Sequence, residues 1–362
     1  MSTPRDDAAG PNIETLEATL DVTYSWGYED TREQLRDLYT KAKRSQWRPE
    51  EVLDFSIDVD LGKPMMPEAL HPLLGSDLHE KLTPGEHERL HAEMASWTLS
   101  QFLHGEQGAL LAAAQLVMSV PDLDSKLYGG TQVVDEARHV DVYNRYLHEK
   151  IGFSYPVNPH LKSLLDLILT DSRWDMKFLG MQIMVEGLAL AAFGVTRMQM
   201  MDEPLIQDLI TRVMADESRH VAFGVLSLAD LYANEMTSAE LREREEFVIE
   251  ATHLLRDRLQ PTPVFEHLGW DAAVWSKWSE TTPFMRGFRQ MMFQKIVPNL
   301  KRLGLLTPRV RAAYEKLDLL RFEHEKDSIE DPETTPPAEL VQLLMEFMTK
   351  TAGTTDQGVA AQ

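Results

Sequence analysis

One short motif occurs twice in the sequence and gives the main indication of the fold: DEARHV at residues 135–140 and DESRHV at residues 216–221. Each copy holds a Glu-x-x-His pair, and side chains three residues apart share one face of a helix and can reach the same metal. A lone glutamate, Glu106 or Glu186, stands thirty or thirty-one positions ahead of the glutamate in each motif. The repeated spacing predicts two similar helical hairpins whose tips lie midway between these glutamates.

Capping residues and prolines outline the helices of the two hairpins. Thr83, Pro84 and Glu86 form an S/T-x-x-E start with proline at the first helical position. Together with later Pro and Gly signals they predict four helices, at 84–121, 122–152, 159–201 with an interruption near 171–172, and 204–233. No stretch has the alternating period of a strand, and short connections favour antiparallel neighbours, so the sequence predicts an all-α four-helix bundle.

The remaining chain is predicted to surround this bundle. We expect residues 1–82 to form a helical and irregular segment packed on it, residues 83–233 to be the bundle itself, and residues 234–350 to add helices to the same domain. Residues 351–362 read as a mobile tail. The additional helices are predicted at 238–259, 283–304, 308–325 and 337–350.

Composition narrows the partners and the kind of metal site. A formal charge of −22 disfavours nucleic acid and anionic membranes, because a strongly acidic surface repels both. Absence of cysteine excludes disulfides, thiolate zinc sites and iron–sulfur clusters, which leaves histidines and carboxylates as metal ligands. No apolar run reaches the roughly 20 residues of a membrane span, and the first residues lack a signal-peptide pattern, so we expect a cytoplasmic protein.

Packing one hairpin against the other gathers four carboxylates and two imidazoles in the bundle interior: Glu106, Glu136, His139, Glu186, Glu217 and His220. Without cations these carboxylates would repel one another and carry a large desolvation penalty. Four negative charges balance two divalent cations, so the set predicts a dinuclear metal site. The alternative is a core in which the glutamates pair with the two histidines, Arg138 and Arg219.

The order Glu, Glu-x-x-His, Glu, Glu-x-x-His over residues 83–233 resembles the ferritin-like diiron-carboxylate superfamily. The Asp-Glu-x-Arg-His form resembles its oxygen-activating branch, which includes bacterial diiron monooxygenases, ribonucleotide reductase small subunits, acyl carrier protein desaturases and arylamine N-oxygenases. The resemblance implies a ferritin-like four-helix bundle with additional helices and a pair of iron ions, or a mixed manganese–iron pair, that activates O2.

The resemblance also implies a role for each residue of the two motifs. Glu136 and Glu217 would bridge the metals, His139 and His220 would be terminal ligands, and Glu106 and Glu186 would be terminal carboxylates. Asp135 and Asp216 would accept hydrogen bonds from the imidazole of the opposite motif. Arg138 and Arg219 would pair with those aspartates.

In function, the resemblance implies an O2-dependent diiron monooxygenase or oxidase. Its substrate would be an apolar or aromatic small molecule, oxidised by hydroxylation, N-oxygenation or desaturation, with electrons from an external donor or reductase. A homodimer is also expected. Arylamine N-oxygenases carry an additional histidine ligand where this chain has Val213, which disfavours that reaction.

Three alternatives remain at this point. One is a radical or ligand-binding oxidase similar to the ribonucleotide reductase small subunit, with Tyr143, one turn after His139, as the redox residue. Another is a non-enzymatic ferritin-like protein that handles iron. The third is a zinc-protease site at His87-Glu88-Arg89-Leu90-His91, which matches H-E-x-x-H but lies in the charged first turns of a helix with no further ligand evident.

Overall fold

Helices account for all the regular structure in the described part of the chain, which comprises residues 13–29, 32–63, 71, 73 and 76–331 of a computed structural model. Within these ranges no residue forms a strand, and the all-α prediction is confirmed. The predicted helix at 337–350 and the tail at 351–362 lie outside the described residues. In chain order the helices are α1 (Glu33–Arg44), α2 (Pro49–Val52), α3 (Pro84–Ser119), α4 (Leu123–Tyr146), α5 (Pro159–Thr170), α6 (Trp174–Phe178), α7 (Glu186–Gln199), α8 (Pro204–Asn234), α9 (Ser238–Asp257), α10 (Thr262–Leu268), α11 (Ala272–Thr281), α12 (Pro283–Met291), α13 (Ile296–Arg302) and α14 (Pro308–Lys316).

The first hairpin begins and ends where its capping residues indicate. Thr83 and Glu86 form a capping box, in which the backbone N–H of Thr83 donates to the Glu86 carboxylate at 2.8 Å. Pro121 follows the end of α3, and Asp122 caps α4 by accepting a hydrogen bond from the Ser125 N–H at 2.8 Å. A π-helical turn extends α4 to Gly152, whose φ of 83° is the left-handed conformation that ends many helices.

The third predicted helix is interrupted, as the sequence suggested. The interruption near Asp171 separates α5 from a helix spanning Trp174–Gln199, which consists of α6, a π-helical turn at Leu179–Val185, and α7. This helix is long and apolar enough to cross a bilayer, yet 89% of its most apolar window is buried inside the protein. It packs along α8, α3 packs along α4, and contacts between α4 and α8 join the two hairpins into the bundle.

Additional helices pack on the bundle from both ends of the sequence. Helix α1 lies against α4 and α8 and buries Leu35, Leu38 and Ala42. After the bundle, α9 packs on α5 and on the π-helical turn of the third helix. Val248, Ala251 and Leu255 of α9 belong to the same hydrophobic core as the bundle.

Two of the predicted C-terminal helices are broken in the structure. The run at 283–304 forms α12 and α13 with a turn between them, because Pro298 has no N–H for the carbonyl of Gln294 and its ring would clash there. The run at 308–325 stops after α14, where Asp318 adopts a left-handed φ of 55°. Helices α10 and α11 lie in a stretch for which the sequence predicted none.

Candidate metal centre

Six side chains from the four bundle helices converge in the interior, and each is at most 5% exposed: Glu106, Glu136, His139, Glu186, Glu217 and His220. Nδ1 of His139 lies 3.2 Å from Glu106 Oε2, 3.5 Å from Glu136 Oε2 and 3.1 Å from Glu217 Oε1. Nδ1 of His220 lies 3.1 Å from Glu136 Oε1 and 3.4 Å from Glu217 Oε2. Glu136 and Glu217 therefore face both imidazoles, and Glu106 lies beside His139.

Each imidazole is oriented by an aspartate from the opposite motif. Nε2 of His139 lies 3.1 Å from Oδ2 of Asp216, and Nε2 of His220 lies 3.3 Å from Oδ2 of Asp135. With a metal bound, an N–H on Nε2 that donates to aspartate would leave Nδ1 unprotonated and pointing at the glutamates. The crossed pairs tie α4 to α8 and would set the tautomer of both rings in that state.

Arginines and two residues of the N-terminal segment complete this hydrogen-bonded layer. Arg138 donates to Asp135 at 2.5 Å and to Asp216 at 3.0 Å, and Arg219 also donates to Asp216. Gln46 donates to Asp135 at 2.7 Å, and the indole N–H of Trp47 donates to Asp216 at 2.8 Å. Sequence reasoning missed these last two residues, since they lie in an irregular stretch and nothing local marks them.

Two glutamines support the carboxylates from the other side. Nε2 of Gln132 donates to Oε1 of Glu136 at 3.1 Å and to Oε1 of Glu186 at 2.9 Å. Gln182 in turn donates to Oε1 of Gln132 at 3.3 Å. Gln132 lies one helical turn before Glu136, so its position on the ligand face was a signal available in the sequence.

Burial and mutual repulsion dominate the electrostatics of the cluster. Burial raises the pKa of Glu106 and of Glu186 well above the usual range, and the charge of Glu217 raises both further. Burial alone would lower the pKa of His139, but hydrogen bonds to carboxylates, first that of Asp216, outweigh it and raise the pKa well above its usual value. Without cations, protons would have to neutralise the cluster.

The polar atoms of the cluster fit two divalent cations. Several buried atoms have no hydrogen-bond partner among the described residues: Oε2 of Glu136, Oε2 of Glu186, both carboxylate oxygens of Glu217, and Nδ1 of His220. Such atoms cost about 1–3 kcal/mol each when left unpaired, whereas two cations among them would give them partners. Two sets of four ligand atoms each lie within 4.8 Å of one another, and Glu136 and Glu217 belong to both. Imidazole with carboxylate suits iron and manganese.

Tyr143 lies in the core beside this cluster. Its ring is fully buried against Phe102 and Phe193, with centroids 5.9 and 6.2 Å away. Its hydroxyl has no hydrogen-bond partner among the described residues. Burial and the charge of Glu106 raise its pKa well above the usual range, so the phenol stays protonated.

The H-E-x-x-H histidines lie elsewhere. His91 and His87 pack with His71 and His79 near the start of α3, with ring centroids 4.3–6.5 Å apart. Among the described residues, none of these four histidines belongs to a group whose ligand atoms lie close enough together to hold a metal. The zinc-protease alternative therefore has no support in the geometry.

Two adjoining cavities open beside the cluster. The smaller is lined by Glu106, Glu186 and Glu217 together with Phe102, Ala189 and Phe193. The larger has a mainly apolar wall that includes Met94, Trp97, Leu188, Met285 and Phe288. Three residues belong to both linings, namely Gln101, Phe102 and Arg258.

Comparison with known proteins gives structural neighbours only. No family model matches the chain, and no curated protein matches it. Among solved structures, an R2-like ligand-binding oxidase with an aerobically reconstituted metal cofactor after photoconversion shares 17% identity, with a TM-score of 0.49 over 74% of this chain and 92% of that one. An R2-like ligand-binding oxidase with an aerobically reconstituted Mn/Fe cofactor shares 18% identity, with a TM-score of 0.46 over 76% and 91%. The metal cofactors belong to those proteins.

Proposed function

We propose that the chain is an O2-dependent oxidoreductase that uses a pair of iron ions, or a manganese–iron pair, to oxidise an apolar or aromatic small molecule. The observation that carries the proposal is the cluster of six buried ligand side chains, some with carboxylate oxygens that have no hydrogen-bond partner, beside a cavity that its carboxylates share with apolar side chains. Bound metals would supply electrons to O2 and open coordination positions for it.

In this proposal each side chain has a role that follows from its position. Glu136 and Glu217 would bridge the two ions because each faces both imidazoles. His139 with Glu106 would hold one ion, and His220 with Glu186 the other. The carboxylates supply four negative charges against two dications, so the buried centre becomes neutral overall.

The protein around the metals would keep the site dry and place the substrate. Phe102, Ala189 and Phe193 line the smaller cavity beside Glu106, Glu186 and Glu217, and their apolar side chains would limit the water that reaches the metals. Gln132 holds Glu136 and Glu186 at fixed distances, which limits how far these carboxylates move.

The proposal includes a separate electron donor, because the chain has no flavin or nicotinamide signature. It also includes a cytoplasmic homodimer. Sedimentation of the purified chain tests the dimer, and oxygen consumption with and without an added reductase tests the need for a donor.

The deciding experiment loads the full chain with ferrous iron without oxygen, adds O2, and follows Mössbauer and optical spectra. We expect two irons per chain and a dinuclear spectrum that changes on oxygenation. Glu136→Ala and Glu217→Ala should lose it. The control is Glu93→Gln, since Glu93 is a buried glutamate of α3 that is hydrogen-bonded to Tyr155 at 2.7 Å, outside the cluster. A dinuclear spectrum retained in both alanine variants would refute the ligand set.

A radical oxidase is the second candidate function, favoured by the burial of Tyr143 beside Glu106. A redox tyrosine would give a tyrosyl radical signal in electron paramagnetic resonance after O2 addition, and Tyr143→Phe would abolish it. If the parent protein gives no such signal while it consumes oxygen, Tyr143 serves only packing.

A further inference from the structure

Arg258 is a buried cation at the junction of the two cavities. It follows the last residue of α9, is 7% exposed, and lines both the smaller, carboxylate-walled cavity and the larger apolar one. Burial lowers the pKa of its guanidinium to about 10, a value at which it stays charged at neutral pH. The charge therefore lies between the proposed metal centre and the proposed substrate cavity.

No described residue neutralises this charge. Neither a hydrogen bond nor an ion pair of the Arg258 side chain is found in the described ranges, and no neighbouring carboxylate offsets the effect of burial on its pKa. The other buried arginines among the described residues differ, since Arg244 and Arg138 each pair with aspartates. A buried charge without a partner is strongly unfavourable, so a ligand that supplies the partner would gain binding energy there.

The polar neighbour of Arg258 at the junction is already engaged. Gln101 donates to the carbonyl of Pro156 at 3.0 Å and accepts from the N–H of Asn158 at 2.7 Å. The third residue common to both cavities is Phe102, which is apolar. Arg258 is thus the group at this junction with unused donors, and a guanidinium matches a carboxylate with two parallel hydrogen bonds.

We propose that the substrate is an apolar monocarboxylate whose carboxylate is bound by Arg258 and whose hydrocarbon or aromatic body fills the larger cavity. This rests on the proposed function, because it names the substrate class of the same site. Apolar and aromatic side chains such as Met94, Trp97 and Phe288 provide the wall for that body. Carbon atoms near the carboxylate would then lie closest to the metal ligands.

Calorimetric titration of the iron-loaded full chain, without oxygen, compares 4-phenylbutyrate with its uncharged analogue 4-phenylbutyramide. We expect the acid to bind about 10- to 100-fold more tightly, since a charge-assisted hydrogen bond in a buried site has that effect. Arg258→Met should remove the difference, and Arg258→Lys should retain part of it. Arg302→Met, which removes an arginine paired with Asp327 outside the cavities, is the matched control.

Two results would overturn the proposal that Arg258 anchors the substrate carboxylate. The first is equal binding of the acid and the amide by the parent protein. The other is tight binding of the acid that survives Arg258→Met and is lost in Glu136→Ala, because that places the carboxylate on the metals. These outcomes are separate from the proposed function: a chain that prefers the acid but never consumes oxygen refutes the oxidase and keeps the anchor.

Discussion

Asp216 of α8 fixes a histidine of α4, since its Oδ2 lies 3.1 Å from Nε2 of His139. The same oxygen accepts from Trp47 at 2.8 Å and Arg138 at 3.0 Å. One carboxylate therefore connects a surface segment, both hairpins and a proposed metal ligand. Because groups that hold a ligating imidazole typically tune metal affinity, this contact should be measurable in binding.

Asp216→Asn should lower the affinity for the second of two ferrous ions about 10- to 100-fold while the protein stays folded. Competition with a chelator measures the affinity, and circular dichroism reports the fold. Trp47→Phe is the matched control, because it removes one donor to Asp216 and leaves the carboxylate, so its effect should be smaller. If Asp216→Asn binds ferrous iron as tightly as the parent protein, the His139 imidazole does not need the Asp216 carboxylate as a hydrogen-bond acceptor.

Gly224→Ala should disturb the site through packing. An added Cβ would lie 2.6 Å from Cβ of Gln182, which donates to Gln132, the glutamine that holds two of the cluster's carboxylates. We expect a loss of about 1–3 kcal/mol in the free energy of unfolding and weaker metal binding. Gly130→Ala, in an open helical position, should instead gain up to about 1 kcal/mol. Urea denaturation distinguishes the two, and equal effects would contradict the packing argument.

Arg244→Met should be among the most destabilising single changes outside the site. Its guanidinium binds both oxygens of Asp175, at 2.9 and 3.0 Å, and Tyr232 donates to the same carboxylate. Removing one partner of a buried pair costs about 3–5 kcal/mol. Arg309→Met removes an exposed pair with Glu246 and should cost at most about 1 kcal/mol. Thermal unfolding measures both variants. Similar losses of stability in the two would show that burial does not strengthen the contribution of an ion pair.

Lys177 should give the protein a stability that rises with pH. Burial lowers its pKa to about 8 from 10.5, although its ammonium donates to Gln115 at 2.6 Å. Between these values the unfolded chain binds the proton that the folded chain has released, so the free energy of unfolding increases with pH, by about 1–3 kcal/mol from pH 8 to 10.5. Lys177→Met should flatten that rise, whereas Lys41→Met on the exposed face of α1 should not. If the free energy of unfolding changes with pH in the same way in the parent protein and in Lys177→Met, the prediction is wrong.

The four-helix bundle was predictable because the sequence signals that define its helices lie within the helices themselves or at their ends. The capping box at Thr83, the proline at Pro121 and the i, i+3 spacing of each Glu-x-x-His pair lie within single helices. The break before Pro298 was also readable from the proline rule, but the uninterrupted helix prediction ignored it. The left-handed turn at Asp318 had no comparable signal, because aspartate occurs in many conformations.

The surroundings of the centre were less predictable, since they come from distant parts of the chain. Gln46 and Trp47 reach the aspartates from an irregular segment about ninety and one hundred and seventy positions away in sequence. Arg258 follows the end of α9, a helix outside the four-helix bundle. Helical periodicity describes which side of a helix is buried, and it contains no information about which remote segment covers that side.

The wide turn at Leu179–Val185 ends at the residue before Glu186. A π turn holds one more residue than an α turn, so the angular position of this carboxylate depends on a residue count rather than on any side chain. Deleting one residue from the turn would swing the preceding half of the helix by about 100° relative to Glu186. Insertion or deletion of a single codon can therefore change the direction of the Glu186 carboxylate. A relative with one residue fewer in this turn would keep both Glu-x-x-His motifs and yet have a different arrangement of ligands.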